Sequence, residues 1–187
     1  DKLPDAVVDL RGALAQCGGG ADAAPMPILD VRANRSILEF LERRDIAQLL
    51  TRGVASPDHV IRIKGRPLHL PRSTWQQGAA AIAAAITSFQ QDYKTYFDRE
   101  AARSSQPKKM LSSLPSLVWM EGVGIIGIGA NAKAASVAAD LGVQNARVRS
   151  VGEDQGGFRP VKEADLFDLE YWSLEQAKLG KSTPPLM

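Results

Sequence analysis

The side chains that most readily bind transition metals are scarce in this chain, which has two histidines, His59 and His69, and one cysteine, Cys17. A zinc site in a protein needs three or four His, Cys or carboxylate ligands that converge on one point. The sequence has no His-x-His pair and no Cys-x-x-Cys pair. We therefore expect no zinc site within this chain, and His59 is the remaining candidate for a metal ligand.

An alternative reading brings carboxylates to His59. Asp58 precedes this histidine directly, and Glu121 follows an apolar run. If folding brought His59, Glu121 and Asp58 together, they would be catalytic candidates that hold a metal acting as a Lewis acid. This hypothesis requires ligand atoms within about 2.0 to 2.2 Å of one centre.

A glycine-rich stretch offers a different chemistry. Residues 127–132 read GIGANA, which matches the G-x-G-x-x-A form of a dinucleotide fingerprint. In that reading Gly127, Gly129 and Asn131 bind a cofactor, because backbone N–H groups at the start of a helix hold a pyrophosphate. Glu153 and Asp154 follow at roughly the distance of a ribose-binding acid. The competing interpretation is that the glycines serve turning and packing.

Three tyrosines are possible proton donors. Tyr93, Tyr96 and Tyr171 carry phenol groups, and Lys178 could neighbour a site that they form. Nothing in their spacing requires a shared reaction. The pattern favours packing in the core or at an interface.

Any such site depends on residues 115–150, around which the chain is organised. Two apolar runs, at 117–120 and 125–128, predict strands. Gly122 and Gly124 between them permit a tight reversal. Asn131 is a good N-cap, so the following alanine-rich stretch is predicted to be a helix that packs on the hairpin.

The remaining elements are predicted to cover this hairpin and helix. The pattern His59–Ile63 predicts a strand that forms a hairpin with residues 67–70, and Ile28, Leu29 and Val31 predict a short strand. Polar, glycine-rich residues 152–157 predict a linker. Helices are predicted at residues 6–16, 36–41, 45–50 and 163–179, and one or two helices are predicted at residues 74–103. Residues 181–187 are predicted to form an extended tail.

Composition sets the class of protein. The 187 residues are 44% hydrophobic and 24% charged, which is typical of a globular domain. The net charge of +2, with both signs interspersed, gives no footprint for nucleic acid or an anionic membrane. A single cysteine fits a reducing compartment, and no apolar run of about 18 residues or signal peptide is found. We therefore expect a soluble cytoplasmic protein.

Three separated motifs resemble known proteins. The apolar strand, glycine turn, apolar strand and helix of residues 115–150 are similar to the closing hairpin and helix of class II aldolase/adducin domains. The segment 167–179, FDLEYWSLEQAKL, resembles bifunctional aldolase/short-chain dehydrogenases of the rhamnulose-phosphate aldolase and alcohol dehydrogenase type. Residues 57–62, PDHVIR, followed by Pro67 and Leu68, match that family as well.

The resemblance implies a fold and a place in a longer chain. The fold would be α/β, a three-layer α/β/α domain over residues 1–160 with a mainly antiparallel central sheet. Residues 161–187 would be a C-terminal helical extension and tail toward a dehydrogenase domain. The partners of this segment would be adjacent aldolase and dehydrogenase domains, and a homo-oligomer is expected. Zinc and NAD are implied as cofactors of the parent protein but not of this segment.

The resemblance also bears on catalysis. The first two zinc ligands of such aldolases lie in a His-x-His motif that has no counterpart here. The third falls on Val123–Gly124, or on Glu121–Gly122 in the other register, and neither is histidine. The leading hypothesis is a zinc-free scaffold or assembly module of a bifunctional sugar-phosphate aldolase/dehydrogenase. The alternatives are a metal-dependent aldolase using His59 and Glu121, and a nucleotide-binding module at residues 127–132.

Overall fold

The computed structural model describes residues 3–19 and 26–178 of the chain. This part contains four strands, β1 Ile28–Arg32, β2 Leu68–Leu70, β3 Leu117–Met120 and β4 Gly124–Gly129. Its nine helices are α1 Leu3–Cys17, α2 Arg35–Leu41, α3 Ile46–Thr51, α4 Pro57–Ile63, α5 Arg72–Trp75, α6 Ala79–Ala101, α7 Ala132–Asp154, α8 Glu163–Glu170 and α9 Ser173–Ala177. The predicted tail at 181–187 lies outside the described residues, as does Leu179.

The four strands form one mixed sheet in the order β1-β4-β3-β2. The central strand β4 pairs antiparallel with both β1 and β3, whereas β2 pairs parallel with β3. The α/β class predicted from the sequence is therefore confirmed. Of the described helices, none combines the length and the apolarity needed to cross a membrane.

The predicted unit of two strands and a helix is confirmed. Gly122 and Gly124 have φ angles of 73° and 148°, in the left-handed region that favours glycine, and they reverse the chain between β3 and β4. Asn131 caps α7, because its side-chain oxygen accepts a hydrogen bond from the Ala134 N–H at 2.9 Å. Each signal is local, so the sequence pattern was sufficient to predict them.

Alternating residues of β3 and β4 belong to two different hydrophobic clusters. Leu117 and Trp119 pack with residues of α2, α3, α4, α7 and α8. Val118 and Met120 pack with residues of α1 and α6. Because successive side chains of a strand point to opposite faces, the two clusters lie on opposite sides of the sheet.

The strand predicted over His59–Ile63 is wrong, since these residues belong to helix α4. Pro57 occupies the first turn, where its missing N–H costs nothing, and Asp58 adds a favourable negative charge there. Val60 and Ile63, three residues apart, are both buried. A short apolar run fits either period, and here the start signal and the burial of one helical face decide for the helix.

The predicted hairpin between residues 59–63 and 67–70 is wrong for the same reason. Leu68–Leu70 forms a strand, but its partner is β3, in parallel register with Leu68 opposite Val118. A parallel pair joins segments distant in the chain, and nothing local in the sequence specifies it.

Two predicted boundaries also move. The linker predicted at 152–157 begins inside α7, because this helix continues to Asp154. Two ion pairs hold the end of the helix: Asp154 pairs with Arg43 at 3.0 Å, and Glu153 pairs with Arg52 at 3.2 Å. The single helix predicted at 163–179 is interrupted at Tyr171 between α8 and α9. The Tyr171 side chain is buried.

Candidate functional site

A buried carboxylate lies at the centre of a group of hydrogen-bonded side chains in the interior. Glu170, at the C-terminal end of α8, is 1% exposed. Its Oε1 accepts a hydrogen bond from the Tyr93 hydroxyl at 2.8 Å, and its Oε2 accepts one from the Tyr96 hydroxyl at 3.1 Å. The two phenols come from adjacent positions on one face of α6, since residues three apart in a helix are neighbours.

Tyr171 extends this network. Its hydroxyl lies 2.7 Å from that of Tyr93, and because the Tyr93 proton points to Glu170, Tyr171 is the donor of this pair. The Leu111 N–H donates to the Tyr171 hydroxyl at 3.3 Å. We call Glu170 and the three tyrosines the Glu170 cluster. The tyrosines were candidates from the sequence, whereas no sequence pattern pointed to the carboxylate that joins them.

Lys64 brings a positive charge to the Glu170 cluster. It ends α4, has a φ of 64° and is buried. Its Nζ donates to the Ser112 carbonyl at 2.6 Å and lies 3.6 Å from the centroid of the Tyr93 ring. A cation over an aromatic face is attracted by the electron density of the ring.

The environment sets the protonation of the cluster. Burial raises the pKa of Glu170, although the charge of Lys64 and the bonds from Tyr93 and Tyr96 oppose the shift. Burial, followed by the charge of Glu170, raises the pKa of Tyr93 and of Tyr96, and burial raises the pKa of Tyr171 to about 12. The phenols therefore remain protonated at neutral pH and act as hydrogen-bond donors.

Two cavities meet at Lys64. The first has a volume of about 310 Å³, and its polar lining includes Thr51, Lys64, Arg66, Tyr93, Tyr96 and Glu163. The second has a volume of about 630 Å³, and its polar lining includes Arg62, Lys64, Ser112, Asn131, Lys133 and Glu170. Both volumes fall in the range of small-molecule sites.

The predicted ligand His59 is bonded on both ring nitrogens. Its Nδ1 lies 2.7 Å from the Ser56 hydroxyl, and its Nε2 lies 2.6 Å from Gln144 Oε1, so Nε2 carries the proton. Burial lowers the pKa of His59. Asp58, beside it in sequence, is exposed and lies 3.5 Å from Lys178 Nζ.

Glu121 has a different set of partners. Its Oε1 lies 3.2 Å from His69 Nε2, and its Oε2 accepts a hydrogen bond from the Arg72 N–H at 2.9 Å. The parallel pairing of β2 with β3 brings His69 to Glu121, and sequence reasoning missed this pair because it assumed a hairpin. Burial lowers the pKa of His69, against the effect of the Glu121 charge.

These contacts do not fit a zinc ion. His59 and Glu121 share no partner, and the His59 ring is already bonded on both sides. In the part of the chain that the structure describes, no three His, Cys, Asp or Glu side chains are grouped so that they could hold a metal.

The glycines of residues 127–132 allow α7 to lie close to β4. A Cβ atom on Gly127 would lie 2.2 Å from the Ala135 carbonyl oxygen, and one on Gly129 would lie 2.4 Å from the Ala135 nitrogen. Both distances are below any ordinary contact, so packing accounts for the two glycines. Asn131 is engaged as the cap of α7. Nucleotide binding at this stretch stays a prediction.

A second buried charge lies elsewhere on α7. Arg149 is 0% exposed and donates to the carbonyls of Leu49 at 2.7 Å and Gly53 at 2.5 Å. Its guanidinium carbon lies 5.1 Å from the Trp119 ring centroid. Sequence reasoning missed this residue, although it continues the small-residue stripe of α7 at helical spacing from Ala146.

The pattern of the family described as "Aldolase class II, second domain" matches residues 2–179. The chain is also similar to a Bacillus subtilis (strain 168) protein named "Uncharacterized oxidoreductase YuxG", with 25% identity over 179 residues. This match covers 94% of the chain and 26% of the relative, so the chain spans about a quarter of the relative's length. No solved structure gives a significant match.

Proposed function

This chain belongs to the aldolase class II family as a second domain, and on that premise we propose that it is one domain of a bifunctional enzyme. The enzyme joins a sugar-phosphate aldolase, of the rhamnulose 1-phosphate type, to a short-chain dehydrogenase. In it this domain is a scaffold or assembly module without zinc of its own. Zinc and NAD belong to its neighbours in the parent protein.

One observation carries the proposal. A family named for a second domain accounts for residues 2–179, while the same residues correspond to 26% of a relative named as an oxidoreductase. An aldolase-type second domain that matches only a small part of an oxidoreductase supports a parent protein in which aldolase-like and dehydrogenase domains are joined. The identity of 25% supports this arrangement without assigning a substrate.

The contacts of the histidines support a role other than metal catalysis. The His59 ring is bonded by Ser56 and Gln144, and His69 lies against Glu121. These side chains tie α4 to α7 and β2 to the β3–β4 turn. They therefore act as structural links in a domain that keeps the shape of an aldolase.

The C-terminal end supports contact with a neighbour. Trp172 and Leu174 are 47% and 48% exposed, unusual for large apolar side chains so close together. They follow α8, in the segment 161–187 that we propose leads toward the dehydrogenase domain. We also propose that the two hydrophobic clusters make the domain a three-layer α/β/α structure of the class II aldolase type.

Metal analysis and an activity assay test the zinc-free role. The purified chain, grown with zinc, is analysed for bound metal and assayed for retro-aldol cleavage of a ketose 1-phosphate with and without added zinc. We expect neither stoichiometric zinc nor cleavage. Stoichiometric zinc together with cleavage would overturn the proposal in favour of the metal-dependent aldolase using His59 and Glu121.

Molecular mass tests the assembly role. Light scattering after size exclusion should show a homo-oligomer for the purified chain, and Trp172→Ala should shift the mass downward if that side chain lies in a contact. Val8→Ala is the matched control, since Val8 is 69% exposed on α1. A monomer at all concentrations would remove the assembly role between copies.

A further inference from the structure

The second cavity, of about 630 Å³, lies between α4 and the start of α7, and we call it the α4–α7 cavity. We propose that it binds the phosphate group of a small phosphorylated molecule. The cavity lies at the end of β4 where Gly129 leads into α7, which is the opposite end of this strand from Gly124.

The charges that line the cavity favour an anion. Among the described residues that line it, four are cationic and only one is a carboxylate: Arg62, Lys64, Lys133 and Lys178, against Glu170. A cavity lined by charges of one sign raises the local concentration of ligands of the opposite sign, because its low-dielectric walls focus the field.

Two of the four cations are already neutralised or bonded within the protein. Lys178 pairs with Glu175 at 2.8 Å and lies near Asp58, and Lys64 donates to the Ser112 carbonyl. Within the described residues, the side chains of Arg62 and Lys133 make no hydrogen bond or ion pair. They are the two cations that remain available to a ligand.

The single carboxylate does not neutralise them. Both oxygens of Glu170 accept hydrogen bonds from phenols, Oε1 from Tyr93 and Oε2 from Tyr96. Glu170 is therefore committed to its own cluster on the Lys64 side of the cavity. Arg62 and Lys133 have no carboxylate partner in the described structure.

The start of α7 adds to the positive potential that these side chains create. This helix has 23 residues, and its first turn contains no acidic residue but does contain Lys133. A cation is unfavourable at this end of a helix, where the backbone dipole is already positive. An anion bound beside Lys133 would remove this repulsion and accept hydrogen bonds from helix N–H groups that have no partner within the helix.

Phosphate matches this set of donors. A guanidinium such as that of Arg62 binds two phosphate oxygens at once, and an ammonium such as that of Lys133 supplies a point charge. The Ser112 and Ser116 positions also line the cavity and offer hydroxyls to the remainder of a polar ligand. A volume of about 630 Å³ accommodates a phosphorylated sugar as well as inorganic phosphate.

Calorimetric titration of the whole chain tests the site. Inorganic phosphate and a ketose 1-phosphate are titrated at constant ionic strength, with chloride as the balancing anion and the unphosphorylated ketose as a second control. We expect both phosphates to bind and the ketose not to bind. Tighter binding of the ketose 1-phosphate would assign a phosphorylated sugar, and equal binding would assign the phosphate group alone.

Variants locate the binding. Arg62→Ala and Lys133→Ala should each weaken phosphate binding by about tenfold, the loss of one charge-assisted contact. Arg147→Ala, which removes an exposed cation from the same helix, should leave it unchanged. Lys133→Glu gives a sharper test, since it should stabilise α7 against unfolding while it abolishes phosphate binding.

Two results would overturn the site. One is wild-type protein that shows no heat of binding for either phosphate at millimolar concentration. The other is Arg147→Ala weakening phosphate as much as Arg62→Ala, which would assign the binding to general surface charge. Zinc-dependent cleavage would overturn the proposed function but would leave this site standing.

Discussion

Arg149 and Glu170 are two charges buried in the same domain, and they are held in different ways. The Arg149 guanidinium donates to two backbone carbonyls and lies over the Trp119 ring, and within the described residues no carboxylate pairs with it. The Glu170 carboxylate accepts two phenol hydrogen bonds and feels the charge of Lys64. The Arg149 charge is stabilised by backbone carbonyl dipoles, and the Glu170 charge is stabilised by hydrogen bonds from side-chain hydroxyls.

The difference between the environments of Arg149 and Glu170 indicates which of the two buried charges can change with pH. Burial lowers the pKa of Arg149 to about 9, so the group stays charged at neutral pH. Burial raises the pKa of Glu170 above its ordinary value, because a protonated carboxyl costs less to bury than an anion. The Glu170 cluster is therefore the region whose charge can change, while the Arg149 region keeps one charge state.

Removal of the carboxylate should have the largest effect. Glu170→Ala leaves two phenols without their acceptor, removes the negative charge near Lys64 and creates a cavity, so we expect a loss of about 3 to 5 kcal/mol in the free energy of unfolding. Glu170→Gln keeps an acceptor and should cost about 1 to 2 kcal/mol. Urea unfolding at pH 7 measures both, and equal losses for the two variants would show that hydrogen bonding to Glu170 is unimportant.

Removal of the guanidinium should cost less. Arg149→Ala leaves the carbonyls of Leu49 and Gly53 without a donor, at about 2 to 3 kcal/mol, and Arg149→Lys should lie between it and wild type because it keeps one donor. Arg147→Ala is the matched control and should change stability by less than about 0.5 kcal/mol. If Arg149→Ala were as stable as Arg147→Ala, the buried bonds would contribute nothing.

The Glu170 cluster should give stability a definite pH dependence. A carboxyl whose pKa is raised in the folded state contributes stability that is fully present below its ordinary pKa of 4.5 and is lost as the pH rises through the folded value. Stability measured by urea unfolding from pH 4 to 8 should fall through this window in wild type and fall less in Glu170→Gln. Parallel profiles for the two proteins would contradict the raised pKa.

His59, whose pKa the Arg149 charge helps to lower, should give the smallest effect, with the opposite sign. Burial, and to a lesser degree the charge of Arg149, lower the pKa of His59 against the bond to Gln144. A lowered histidine pKa contributes stability that is present above about 6.5 and lost as the pH falls through the folded value. His59→Gln should therefore reduce the loss of stability on acidification, as measured by thermal unfolding between pH 7 and 5. A steeper acid loss in the variant would refute the lowered pKa.

Local signals in the sequence were sufficient for the central unit. Gly122 and Gly124 marked a reversal that does require positive φ, and Asn131 marked the start of α7 by a cap that depends on the next three residues. The glycines of residues 127–132 were open to two readings, and the distances to α7 account for them by packing. Their type indicated close approach of a backbone, but the sequence did not say to what.

Long-range contacts decided what the sequence could not. The residues His59–Ile63 fit a strand as well as a helix, and their burial against neighbouring helices favours α4. The Glu170 cluster joins α6 to α8 across 77 residues between Tyr93 and Glu170. No period or motif in the sequence links these positions, so the tyrosines were visible while their acceptor was not.

The sequence by itself determined the α/β class, the strand-turn-strand-helix unit and the family, because each depends on residues close together in the chain or on motifs in a fixed order. The tertiary structure alone decided the parallel pairing of β2, the partners of His59 and Glu121, and the grouping of Arg62 with Lys133 at one cavity. The reason is physical: hydrogen-bond geometry within a turn or helix is fixed over a few residues, whereas the burial of charges depends on which distant surfaces the folded chain brings into contact.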